Sequence, residues 1–207
     1  MVARCAECWY IARVGRVDLK QQPIFMQLYR LQSMLQAGGD LFDLRDPKGR
    51  ICNFLVRNEG NDKSFQFSKP RAQAQSRIQP QDVLDCDYLD AVGGAPLFSA
   101  KARAALSAAL PDELRFYECT VECKGQEFAF FLGRTLLHLP LVDKENSIYH
   151  TLTDGEKILS IATYRSHFDR EFSIARDVDD PTCLVVSQRL VDLCKRESLR
   201  IGFAEPL

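Results

Sequence analysis

The chain has 207 residues, 46% hydrophobic and 27% charged, with a formal net charge of −1 and a pI near 6.3. That length is enough to bury a real core, and the near-neutral balance excludes a general attraction to nucleic acid or anionic lipid. No apolar run approaches the ~20 residues that span a bilayer, and charged residues break up the N-terminus where a secretory leader needs an unbroken apolar core, so a cytoplasmic protein is expected.

In chain order, a strand is expected at residues 8–14. After Pro23, Ile24, Leu28, Leu31 and Leu35 recur at helical spacing before the stop signal Gly38 and Gly39, which predicts an amphipathic helix. A turn follows at 45–49 and a short strand at 51–56. Residues 58–81 are polar and punctuated by Gly60, Pro70 and Pro80, and read as a long loop with a short strand at 64–67. Charge is segregated here. Lys48, Arg50, Arg57, Lys63, Lys69, Arg71 and Arg77 face only Glu59 and Asp62, and then Asp82, Asp85, Asp87 and Asp90 follow without a base. The acidic segment is expected to neutralise the basic one, leaving a two-signed solvated surface with no direct nucleic-acid contact.

Two stretches of the second half echo each other. Leu97, Phe98 and Ser99 lead into an alanine-rich helix over 100–110 and then Leu114 and Arg115. Val185, Val186 and Ser187 lead into a helix over 188–196 and then Leu199 and Arg200. Each serine stands at the N-cap position, where its hydroxyl can accept an orphan backbone N–H. Between the two, strands are expected at 128–132, 148–152, 157–163 and 171–174, with Thr153, Asp154 and Gly155 as a hairpin turn. The run Phe128 to Leu132 reads as a fully buried strand, and Phe116, Phe130, Phe131, Leu199 and Phe203 as one shared core. The fold class is α+β, a mainly antiparallel sheet with a few packed helices.

Eight cysteines are present. Cys5 and Cys8 form a lone C-x-x-C, and Cys119 and Cys123 sit four apart in a strand-like run, about 13 Å end to end. No paired C-x-x-C or Cys/His finger spacing occurs, so reduced, mostly buried thiols are expected and no metal or cofactor is assigned. The histidines are His138, His150 and His167. No nucleophile elbow, phosphate loop, H-E-x-x-H or dinucleotide fingerprint accompanies them, and no catalytic residue is assigned.

The closing stretch SQRLVDLCKRESLRIGFAEPL, residues 187–207, resembles the signature of a bacterial immunity-protein family formerly catalogued as a domain of unknown function. Leu141 and Val142 running into Asp143, Lys144, Glu145, Asn146 and Ser147 are similar to a second part of that signature. The resemblance covers roughly residues 85–207, an immunity-protein-like α+β region. Residues 1–84, which match only in general character, are expected to form an N-terminal strand, helix and loop region of the same fold. The resemblance implies a protein that neutralises a cognate toxin, made from an adjacent gene, by stoichiometric occlusion without catalysis. The alternative is a small cytosolic hydrolase or transferase using a histidine or cysteine. For a partner surface, Asp177, Asp179 and Asp180 are expected to repel one another on a loop tip that Pro181 stiffens. Asp143 and Glu145 at the polar corner are a second candidate.

Overall fold

The computed structural model describes residues 23–35 and 41–205. The first elements are β1 (Ile24–Phe25), β2 (Leu28–Gln32), β3 (Phe42–Leu44), α1 (Arg50–Val56), α2 (Lys63–Phe67), β4 (Arg71–Ala74) and α3 (Pro80–Leu84). Next come β5 (Tyr88–Ala91), β6 (Ala95–Ser99), α4 (Ala100–Ala109), β7 (Leu114–Cys123), β8 (Gln126–Thr135) and β9 (His138–Leu139). The chain ends with β10 (Ile148–Thr151), β11 (Lys157–Ile161), β12 (His167–Phe168), β13 (Ile174–Asp177), β14 (Leu184–Ser187), α5 (Gln188–Arg196) and β15 (Gly202–Ala204). The fold is α+β with mostly antiparallel pairing. The strand expected at 8–14, with Cys5 and Cys8, lies outside the described residues.

Two sheets carry the molecule. One is a closed barrel in the order β3-β4-β7-β8-β6-β5, and the other an open sheet in the order β15-β2-β14-β13-β9. The barrel's longest ladder is the β7–β8 hairpin, which pairs from Leu114 opposite Thr135 to Cys123 opposite Gln126. Lys124 and Gly125 turn it, both at positive φ. The barrel core gathers Phe42, Ala72, Leu89, Leu97, Val121, Phe130 and Leu132, and α1 adds Phe54, Leu55 and Val56. A second core lies between α4, α5 and the open sheet, with Phe98, Leu106, Leu190 and Ile174 at its centre.

The expected single core is therefore two. Phe130 belongs to the barrel and Leu199 to the second core, with Phe116 and Phe203 packed at the latter's margin. Phe131 is half-buried, its ring 4.8 Å from the Arg103 guanidinium.

Three expected elements are of the other type. The predicted helix over 24–35 is instead β1 and β2. Leu28 and Leu31 are an odd number of residues apart, so a strand sends them to opposite faces. Leu28 enters a third cluster with Met26 and Phe172, and Leu31 the second core. A strand buried on both faces shows no alternation, and chance spacing mimics a helix. The predicted strand at 51–56 is α1, because the Asp46 carboxylate accepts hydrogen bonds from the Ile51 and Cys52 amides at 2.7 and 2.9 Å and satisfies two orphan donors of its first turn. The predicted strand at 64–67 is α2. Phe65 stacks near Phe54 and Tyr117, whereas Phe67 is 86% exposed. Within the expected loop, β4 buries only Ala72 and Ala74, and α3 starts on Pro80 with a capping box between Gln79 and Asp82.

Two carboxylates tie the halves together. Asp87 at the start of β5 accepts from the Arg200 amide at 2.8 Å and from the Ser99 hydroxyl at 2.5 Å. Glu113, just after α4, accepts from the Ser173 and Ile174 amides at 2.7 and 2.9 Å, at the start of β13. Residue 84 marks no break in pairing, since β2 lies inside the open sheet and β3 and β4 are staves of the barrel.

Candidate functional site

Strand β13 ends in two charged residues that are both buried, Arg176 at 0% and Asp177 at 2% exposure. They turn opposite ways. The Arg176 guanidinium donates to the carbonyls of Pro181 and Thr182 in the loop after β13, and at 2.8 Å to the carbonyl of Gly94 in the barrel's β5–β6 turn. Burial pulls its pKa down to about 10, against an opposing pull from Tyr88, Cys183, Asp90 and Cys52, so it keeps its charge at neutral pH. Gly94 has φ +76°, and a Cβ there would stand 2.3 Å from the Thr182 carbonyl oxygen, so only glycine lets the two loops meet. Tyr88 is buried beside this node and donates to Asp90 at 2.5 Å, while Asp90 also accepts from the Ser33 amide.

Asp177 holds the other side. One carboxylate oxygen accepts from the Leu141 and Val142 amides at 2.7 and 2.9 Å, and the other from Asp179 and Asp180 at 2.7 and 2.9 Å. The expectation of three aspartates projecting into water is corrected for Asp177. Its carboxylate points inward, because four backbone donors from two segments converge on it. Asp179 and Val178 are exposed, the latter at 50%, and Asp180 is partly exposed and accepts from the Thr182 hydroxyl at 2.6 Å.

The structure brings the two acidic candidates together. Lys144 of the polar corner pairs with Asp179 at 2.6 Å, and Asp177 anchors the backbone that leads into that corner. Within the corner, Asp143 accepts from the Asn146 side chain at 2.8 Å and from the Glu145 and Asn146 amides, while Glu145 is exposed. These bonds, the Asn146 side chain first, hold the Asp143 carboxyl below the usual carboxylate range. Ser147 then receives the Thr163 amide on its hydroxyl at 2.9 Å and closes the root of the β10–β11 hairpin.

No protein-family model matches the chain, and no curated protein matches it.

The histidines are dispersed. His138 stands 3.1 Å from the Val56 carbonyl, His150 is exposed on β10, and His167 is exposed beside Ser166 at 3.0 Å with Phe25 against its ring. Cys86, Cys119, Cys123 and Cys194 are buried thiols, and burial pushes Cys119 and Cys194 up to about 12, far from a reactive thiolate. Among the described residues, no group of three or more histidines, cysteines or carboxylates could hold a metal ion, and no helix is long and apolar enough to cross a membrane.

Two residues of the basic stripe, Lys69 and Arg71, and the neighbouring Arg45 are neutralised differently from the sequence expectation. Glu118, Glu122 and Glu127 on the barrel wall pair with Lys69, Arg45 and Arg71, whereas the acidic segment serves elsewhere: Asp82 caps α3 and Asp85 binds Arg200. Strand pairing brings those glutamates beside β4, which was invisible in the sequence.

Proposed function

We propose that this chain is a stoichiometric inhibitor of the immunity-protein type, acting in the cytoplasm on a cognate toxin encoded beside it. The observation that carries the reading is the loop after β13: exposed Val178 with Asp179, Asp180 and the adjacent Glu145, braced from beneath by Arg176 and Asp177. A surface already fixed in shape loses little conformational entropy when a partner seats on it. Its carboxylates suit a basic partner, such as a toxin cleft built to receive phosphates, and speed the encounter.

Co-expression with the neighbouring gene product, then calorimetry, tests this. A nanomolar or tighter complex is expected, and none at micromolar concentration would sink the reading. Reversing Glu145, Asp179 and Asp180 to lysine should slow association and flatten its salt dependence while the fold survives. Asp177 is left intact, since its loss would collapse the loop. Alanine variants of His138, His150 and His167 should still protect cells, as a histidine-dependent enzyme's would not.

A further inference from the structure

The β10–β11 hairpin pairs with no other strand among the described residues. It is fastened at its root, where Thr163 bonds to Ser147, Asn146 and Asp143. A two-stranded hairpin is marginal on its own in water and normally needs a third layer over an apolar face. This one has two unlike faces. Tyr149 and Leu159 are paired across the strands and partly buried, with Leu159 lining a groove of about 450 Å³ that also touches Tyr164, Asp180 and Cys183. On the opposite face Ile158 pairs with His150 and is 47% exposed, and Leu152, two residues further along, is 36% exposed. Ile148 at the root is 56% exposed. Three aliphatic side chains thus stand exposed on an element whose outer face pairs with no other strand among the described residues.

Charge says what would cover them. Asp143, Glu145, Asp154 and Glu156 lie on or next to the hairpin in the chain. Asp179 reaches its root through Lys144, and Asp180 and Glu205 share the groove with Leu159. Against them stand Lys144, Lys157, Arg165 and, in the groove, Arg30. Lys144 and Asp179 engage each other, and the remaining balance is acidic. Such an acidic surround repels phosphate backbones and anionic lipid headgroups and attracts a basic protein. Apolar residues enclosed by a charged rim are the arrangement of a binding hot spot.

We infer that the outer face of the β10–β11 hairpin is the apolar anchor of the inhibitor's interface, and that its partner presents an apolar recess within a basic surface. This rests on the inhibitor reading. It also divides the work: the acidic loop governs the encounter, and Leu152 and Ile158 govern how long the complex lasts.

The test is surface plasmon resonance with the neighbouring gene product against the full chain and a Leu152→Ser, Ile158→Thr double variant. Hydrogen exchange over 148–161 is followed in the wild-type complex. The variant should dissociate about 10- to 100-fold faster with little change in association rate, and the wild-type hairpin should gain protection on binding. A wild-type complex with an unprotected hairpin, or a folded variant with unchanged dissociation, overturns this inference and leaves the inhibitor reading standing. No complex with the wild-type chain overturns both.

Discussion

Ser99 and Ser187 hold the same place in two look-alike strand–helix–strand units, yet only one of them caps. The Ser99 hydroxyl accepts from the Ala102 amide at 3.1 Å and donates to Asp87, whereas the Ser187 hydroxyl is buried with no partner. The first unit is built into the barrel, where β6 lies between β5 and β8. The second ends in the three-residue β15 at the margin of an open sheet. Local sequence placed both helices alike, but tertiary neighbours decided which bonds formed. The closed half is saturated with its own ladder, while the open half carries the acidic loop and the free-standing hairpin.

The largest test of this contrast is in the barrel wall. Phe130→Ala should cost about 3–5 kcal/mol and Phe131→Ala only about 1–2 kcal/mol, because the first side chain fills the closed core and the second lies half in water under Arg103. Equal losses in chemical denaturation would mean that the barrel interior is misassigned. Next comes the contact between the halves. Gly94→Ala should lower stability by about 3 kcal/mol, since the new methyl meets the Thr182 carbonyl at a left-handed φ. A neutral result would show the two loops free to part. The serines sharpen the comparison further. Ser99→Ala should cost about 1 kcal/mol and Ser187→Ala less than about 0.5 kcal/mol, and the reverse ranking would erase the distinction between the units.

The smallest effect concerns pH. The folded Asp143 carboxyl titrates below its unfolded value, so its contribution is fully present above the ordinary carboxylate pKa and is lost as pH falls through the folded value. In acid, the Glu145 and Asn146 amides should lose protection before those of the β7–β8 ladder. Simultaneous loss would remove Asp143 from the corner's support.

The sequence was most legible where one residue type met one demand. The serine before α4 and the Asp154-Gly155 turn have local causes and stand where expected. The aromatic run of β8 is a strand as expected but not a fully buried one: Phe130 and Leu132 face the barrel core, while Ala129 is exposed and Phe128 and Phe131 are half-buried. It was least legible where the cause lies far away. Leu28 and Leu31 mimic a helix because β2 has cores on both sides. Asp177 looks the same as Asp179 and Asp180 until the amides of Leu141 and Val142, more than thirty residues back, are brought to it. Asp46 was legible only as part of a turn, and its bonds to the Ile51 and Cys52 amides, which start α1, appear only in the folded chain.

Arg176 sets how the molecule comes apart. A dry guanidinium is tolerable only while carbonyls surround it, and these come from both sides: Gly94 from the barrel, Pro181 and Thr182 from the loop. Parting the halves breaks the Gly94 bond and leaves Arg176 with the carbonyls of its own loop and with water. Together with the ties made by Asp87 and Glu113, that bond should make the two cores melt in a single calorimetric transition, and a ligand bound to the open half should then raise the melting temperature of the barrel as well.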